Sequence, residues 1–142
     1  MATKPWHVPL RLATGLYIFN SGQSKAGAKG EHAARLQAMA ANAFPQVGEM
    51  DPERFAALLS TTELALGSAL LAVPLVPPLV AGLALLGFAG GLNLLYLRTP
   101  GLRQEGSVKP TPEGIGIAKD VWMTAIGAAL VLDSVFSPRR HR

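Results

Sequence analysis

Residues 79–97 read LVAGLALLGFAGGLNLLYL, an apolar stretch without a charged side chain. Asn93 and Tyr96 are its only polar residues. An α-helix rises about 1.5 Å per residue, so roughly 20 apolar residues cross the ~30 Å hydrocarbon core of a bilayer. The stretch therefore predicts a transmembrane helix.

The composition of the whole chain agrees with a membrane location. Charged residues make up 15% of the 142 positions and hydrophobic residues 49%, whereas soluble domains carry about 25% charged residues. So few charges leave too little polar surface to cover a compact body of this size in water. We expect a single membrane domain over residues 1–142.

Three further stretches are apolar enough to be spans. Residues 55–73 and 117–136 are of full length, and residues 8–22 form a shorter candidate. Together with the first stretch, they predict an all-α fold, a four-helix transmembrane bundle with spans at about 8–22, 55–73, 79–97 and 117–136.

The shortest span has a second interpretation, a cleaved signal peptide. A basic residue, a short apolar run and a small-residue stretch follow one another in the order that such peptides show. Asn20 and the early position of Arg11 are poorly suited to a signal-peptide core.

Two long loops, 23–54 and 98–116, separate these spans. Within the first loop, Leu36, Met39 and Ala40 fall near helical spacing and predict a short amphipathic helix. Such a helix would lie on the membrane surface, cap the bundle or serve as a plain connector. At the end of this loop, Asp51 and Pro52 have the pattern of a helix N-cap and first helical residue.

Four spans place both termini on one side of the membrane. Lysine and arginine occur on both sides, so the positive-inside rule gives no clear orientation. The basic tail, with Arg139, Arg140 and Arg142, is unopposed by acidic residues and favours cytoplasmic termini. We interpret it as a tail and not as a nucleic-acid-binding surface.

Polar side chains within or beside the spans are the candidate functional site, because charged groups are costly at bilayer depth. Glu63 is the only ionisable residue of its span. The alternative for Glu63 is a structural role, a hydrogen bond across helices that fixes their packing. The candidates for a common polar pocket are Glu63, Lys119, Asp120, Lys25, Asn20, Asn93 and Arg11.

Gly87 and Gly91 are four residues apart in the apolar stretch 79–97. Small residues at this spacing allow close approach of neighbouring membrane helices. We therefore expect these two glycines to lie at a helix–helix contact.

Several classes of chemistry lack their characteristic residues in this sequence. The chain has no cysteine, which excludes disulfides, thiolate ligands and covalent haem attachment through this chain. Its three histidines are scattered, so we expect no metal site. No nucleotide-binding or hydrolase motif occurs, and we expect no catalytic activity from this chain on its own.

The order of these features resembles the DoxX family of small bacterial membrane proteins. The resemblance rests on RLATGLYIFNSGQSK (residues 11–25), ELALGSALL (residues 63–71) and AKDVWMTAIGAALVL (residues 118–132). It implies a four-helix bundle in the bacterial inner membrane, and Arg11, Lys25, Glu63 and Lys119 as its site residues. Some members of that family are subunits of quinone-linked oxidoreductases, and some associate with superoxide dismutase and a sulfurtransferase.

Three functions follow as expectations. The first is a noncatalytic membrane subunit, in contact with the lipid bilayer and with other protein subunits, that anchors or couples partners in a redox or oxidative-stress complex. The second is a quinone-binding oxidoreductase subunit with a polar pocket centred on Glu63. The third is a small-solute transporter, which would require oligomerisation because four helices leave little lumen.

Overall fold

The computed structural model describes residues 3–137, and these form an all-helical protein with 72% of its residues in helices and no strand. This confirms the predicted all-α class. The basic tail residues Arg139, Arg140 and Arg142 lie outside the described residues. In chain order, the elements are α1 (His7–Lys25), α2 (Gly30–Ala41), a 3-10 helix (Pro45–Glu49), α3 (Pro52–Leu71), α4 (Pro78–Arg98), α5 (Ile115–Ala118) and α6 (Val121–Phe136).

The start of α3 has the predicted cap. The Asp51 carboxylate accepts a hydrogen bond from the Arg54 backbone N–H at 3.0 Å. Pro52 occupies the first turn, where its missing N–H has no intrahelical partner to lose. The helix therefore begins at the residue where the sequence places it.

The long helices form two closely packed antiparallel pairs. In the first pair, the start of α1 packs against the end of α3, and a Cβ added at Gly67 would lie only 2.7 Å from the Phe19 backbone nitrogen. In the second pair, α4 packs along α6, where Gly82 faces Gly127 and Leu130. Glycine at these positions allows the helix backbones to approach closely.

The two pairs share one apolar core at their centre. Every long helix contributes to it, and its side chains are almost completely buried. The cluster consists of Ile18, Leu66, Leu70, Ala81, Leu85, Ala89 and Met123.

Two helical segments of the described chain are long and apolar enough to cross a membrane, judged by length and composition. They are Pro78–Arg98 and Ile115–Phe136, which correspond to the predicted spans 79–97 and 117–136. Helices α1 and α3 cover the other two predicted spans, but they are less apolar and do not count as candidate membrane spans by length and hydropathy.

The end of α3 is capped by a side chain from α1. Arg11 is 0% exposed, and its guanidinium donates hydrogen bonds to the carbonyls of Ala69 at 2.8 Å, Leu70 at 3.0 Å and Val76 at 2.8 Å. The last carbonyls of a helix lack intrahelical partners and carry the negative end of its dipole. The buried cation therefore satisfies the helix end, far from the polar pocket in which it was expected.

Gly82 and Gly90 give a matched stability test within α4. Gly82→Ala places a methyl group 2.9 Å from the Leu130 Cβ, so we expect the free energy of unfolding to fall by about 1–3 kcal/mol. Gly90→Ala meets open space and gains helix propensity, so we expect stability to hold or rise by up to about 1 kcal/mol. Thermal unfolding in detergent, followed by circular dichroism, measures both; equal losses would contradict the α4–α6 contact.

Candidate functional site

A cavity of about 420 Å³ lies between the two helix pairs. It occupies the half of the molecule where α1 ends and α3 begins, and it receives side chains from every long helix. Its wall is mostly apolar and includes Ile18, Phe55, Leu59, Phe88 and Leu92. A space of this size and character between helices is typical of small-molecule sites.

A buried ion pair forms the polar part of the cavity wall. The Lys25 Nζ lies 2.9 Å from Glu63 Oε2 and 3.2 Å from Oε1, and Glu63 is only 5% exposed. The Ser21 hydroxyl joins them, donating to Glu63 Oε1 at 3.3 Å and accepting from Lys25 Nζ at 2.5 Å. The two opposite charges thus neutralise each other inside the helical core.

The amphipathic helix of the first long loop covers the cavity. Leu36, Met39 and Ala40 of α2 all line it, as expected from their spacing, and this placement is the capping one of the three interpretations. Gln37 is a polar residue of the same helix. It is buried, and its Nε2 donates to the Val47 carbonyl at 2.9 Å and to the Met50 carbonyl, because the chain turns back over α2 after residue 44.

Asp120 also lines the cavity, at the junction between α5 and α6. The residue is 8% exposed. The Asp120 Oδ1 atom is buried and has no hydrogen-bond partner within residues 3–137. Buried polar atoms in folded proteins are normally paired, so such an atom requires an explanation.

The other predicted pocket residues lie elsewhere. Lys119 is exposed at the rim, with its Nζ 3.3 Å from the hydroxyl of the cavity residue Tyr17. Asn93 donates to Thr124 Oγ1 at 2.6 Å and links α4 to α6. Asn20 is exposed, and Arg11 caps α3 at the opposite end. The structure therefore brings together Glu63, Lys25 and Asp120.

Gly87 and Gly91 border the cavity. Among residues 3–137, a Cβ added at either glycine would meet no atom within 4 Å, so within this part of the chain neither makes the helix contact expected from their spacing. The close approach of α4 to a neighbouring helix occurs at Gly82 instead. The missing side chains of Gly87 and Gly91 leave open space in the cavity wall.

Sequence reasoning missed Ser21 and Tyr17 as cavity residues. Both share a helix face with Lys25, because the three residues are spaced four apart along α1. That spacing, beside a lysine already singled out, is the pattern that could have identified them.

A second polar cluster at the opposite end was also missed. His7 Nε2 lies 2.8 Å from Asp133 Oδ2, and Lys4 Nζ donates to Asp133 Oδ1 at 2.8 Å. Ser137 joins the same carboxylate at 3.2 Å. The cluster connects the start of α1 to the end of α6. In the described part of the chain, no group of three acidic or histidine side chains is placed to hold a metal ion.

Comparisons of this chain with protein-family models, with curated proteins and with solved structures found no match.

The Lys25–Glu63 pair can be tested with a double-mutant cycle. Lys25→Met or Glu63→Leu alone leaves one buried charge without its partner, so we expect each to lower the free energy of unfolding by about 3 kcal/mol. The double variant removes both charges, so its loss should be smaller than the sum. Denaturant unfolding in detergent micelles measures the cycle.

The control for this cycle is the pair Glu31 and Arg35, 2.8 Å apart on α2 with both side chains more than 70% exposed. Exposed pairs contribute little, so we expect no measurable coupling there. Additive losses at Lys25 and Glu63 would show that the buried pair has no stabilising role.

Proposed function

We propose that this chain is a four-helix transmembrane bundle, similar to DoxX proteins, whose cavity binds the headgroup of a quinone-type molecule within a redox complex of the bacterial inner membrane. The observation that carries the proposal is the apolar cavity of about 420 Å³ with the Lys25–Glu63 pair in its wall. The chain itself would be a binding subunit, with partner proteins supplying the remaining chemistry.

The outer surface of the helices supports the membrane part of the proposal. Large apolar side chains on each long helix face outward. Exposure of so many apolar side chains to water would be unfavourable. Lipid would cover them. The more exposed of these side chains are Leu12, Leu16, Leu58, Val80, Leu83, Val121, Leu132, Val135 and Phe136.

The wall of the cavity fits a flat ring with an apolar substituent. Tyr17, Phe55 and Phe88 contribute aromatic surface, and aromatic rings pack favourably against one another. Asp120, which lies in the same wall, supplies the polar group that fixes the orientation of a headgroup. A bound quinone would supply reversible two-electron chemistry, while these residues hold it and α2 covers it.

The membrane topology can be tested with paired fusions. A fluorescent protein placed after Arg142 should be fluorescent, because we propose cytoplasmic termini, and alkaline phosphatase inserted at Gly106 should be active outside the cytoplasm. Exchanging the two reporters is the control and should silence both. If the fusions at Gly106 and after Arg142 reported the same side of the membrane, α6 would not cross the membrane.

The cavity can be tested by filling it from α4. Gly91→Leu inserts a side chain into the open space that Gly91 borders, so we expect the affinity for decylubiquinone to fall at least tenfold. The adjacent Gly90→Leu is the matched control, because Gly90 is exposed and is not a cavity residue. Its affinity should equal that of the unmodified protein.

Tryptophan fluorescence gives a direct readout of this binding. Trp122 contacts the cavity residue Tyr17, with ring centroids 5.7 Å apart, so a bound quinone should quench it. Trp6 is the only other tryptophan, and a Trp6→Phe background removes its emission. Equal quenching curves for Gly91→Leu and Gly90→Leu would contradict the proposed site.

A further inference from the structure

The hydrogen-bond donors of Lys25 and Ser21 in the cavity wall are already in use. A lysine ammonium has three N–H donors, and the Lys25 Nζ lies within hydrogen-bond distance of four oxygens, those of the Glu63 carboxylate and the backbone and hydroxyl oxygens of Ser21. The Ser21 hydroxyl donates to Glu63. Within the described chain, this group satisfies itself and offers a ligand no free donor.

Asp120, in contrast, has a buried acceptor oxygen without a hydrogen-bond partner in the described chain. It lines the same cavity as Lys25 and Glu63, and its Oδ1 is enclosed without a partner among residues 3–137. An oxygen in this state is a vacant hydrogen-bond acceptor, and burying it unpaired costs free energy. A rotation of the Asp120 carboxylate that turns this oxygen towards the cavity would let a ligand donate a hydrogen bond to it and offset this cost.

We propose that Asp120 is a specificity-determining residue that makes the cavity bind a quinol in preference to the corresponding quinone. This inference rests on the proposed function. A quinol carries hydroxyl groups that donate, whereas the two carbonyl oxygens of a quinone only accept. Where the Lys25 and Ser21 donors are occupied and the Asp120 acceptor is vacant, this part of the wall discriminates between two molecules that have nearly the same size and shape.

Discrimination of this kind can be large. A site built to hydrogen-bond a hydroxyl rejects the analogue that lacks it, because the polar group of the site is then left unpaired. Lys119 adjoins Asp120 in the sequence, and its charge argues against an ammonium as the donor. The hydroxyl of a neutral ligand avoids that repulsion.

The test compares four probes on the full chain in nanodiscs, under anaerobic conditions. They are decylubiquinol, decylubiquinone, the dimethyl ether of the quinol and a decyl-substituted benzylamine. We expect the quinol to bind at least tenfold more tightly than each of the other three. The dimethyl ether separates hydrogen-bond donation from ring electronics, since it keeps the reduced ring and has no donor.

Asp120→Asn provides the variant, because an amide of the same shape can both accept and donate. We expect the quinol-to-quinone affinity ratio to fall to within about threefold of unity. Asp133→Asn is the matched control, since Asp133 is a carboxylate near the other end of α6 and pairs with Lys4 and His7. Its ratio should stay unchanged even where its stability falls.

The outcomes separate this inference from the proposed function. Equal binding of quinol and quinone by the unmodified protein, with both weakened by Gly91→Leu, would overturn the role of Asp120 and leave the cavity site standing. Tighter binding of the benzylamine than of the quinol would also overturn it. If no probe bound saturably and Gly91→Leu changed nothing, the proposed function itself would fail.

Discussion

A carboxylate enclosed among apolar helices has to be neutralised, and here Lys25 neutralises Glu63 across the α1–α3 contact. The pair can form only where the helices lie close together in one register. The Ser60 hydroxyl, which donates to the Gly22 carbonyl at 2.8 Å, and the absence of a side chain at Gly22 support that register. The end of the α1–α3 helix pair that contains Lys25 and Glu63 also forms part of the cavity wall. The shape of the cavity therefore depends on the same ion pair.

The buried cations at the two ends of the α1–α3 pair have different kinds of hydrogen-bond partner. At one end Arg11 donates to helix-terminal carbonyls, and at the other Lys25 meets a carboxylate. Both groups are satisfied. In the described chain, the two buried side-chain oxygens without a partner are Asp120 Oδ1 in the cavity and Thr99 Oγ1 at the end of α4. Of these two oxygens, the one at the cavity is that of Asp120.

Features that depend on local sequence were predictable, and features set by long-range packing were not. Apolar runs gave the long helices, Asp51 marked the start of α3, and an isolated charge in an apolar run drew attention to Glu63. The hydrogen-bond partners of Arg11 were not predictable, because nothing near residue 11 indicates that backbone carbonyls some 60 positions later will surround it. The spacing of apolar residues in α2 allowed capping of the bundle as one of three placements, and it did not select among them because the residues that α2 covers are distant in sequence.

The glycines of α4 show why spacing alone does not define a contact. Gly82 and Gly91 are nine residues apart, which at 3.6 residues per turn places them about 180° apart around the helix. One face packs against α6, where Gly82 lets the backbones approach, and the opposite face borders the cavity, where Gly91 leaves space. Glycine therefore has a different role on each face. On one face it allows close helix contact, and on the other it leaves volume in the cavity. The division keeps the α4–α6 contact tight while the other face of the helix leaves room for a ligand.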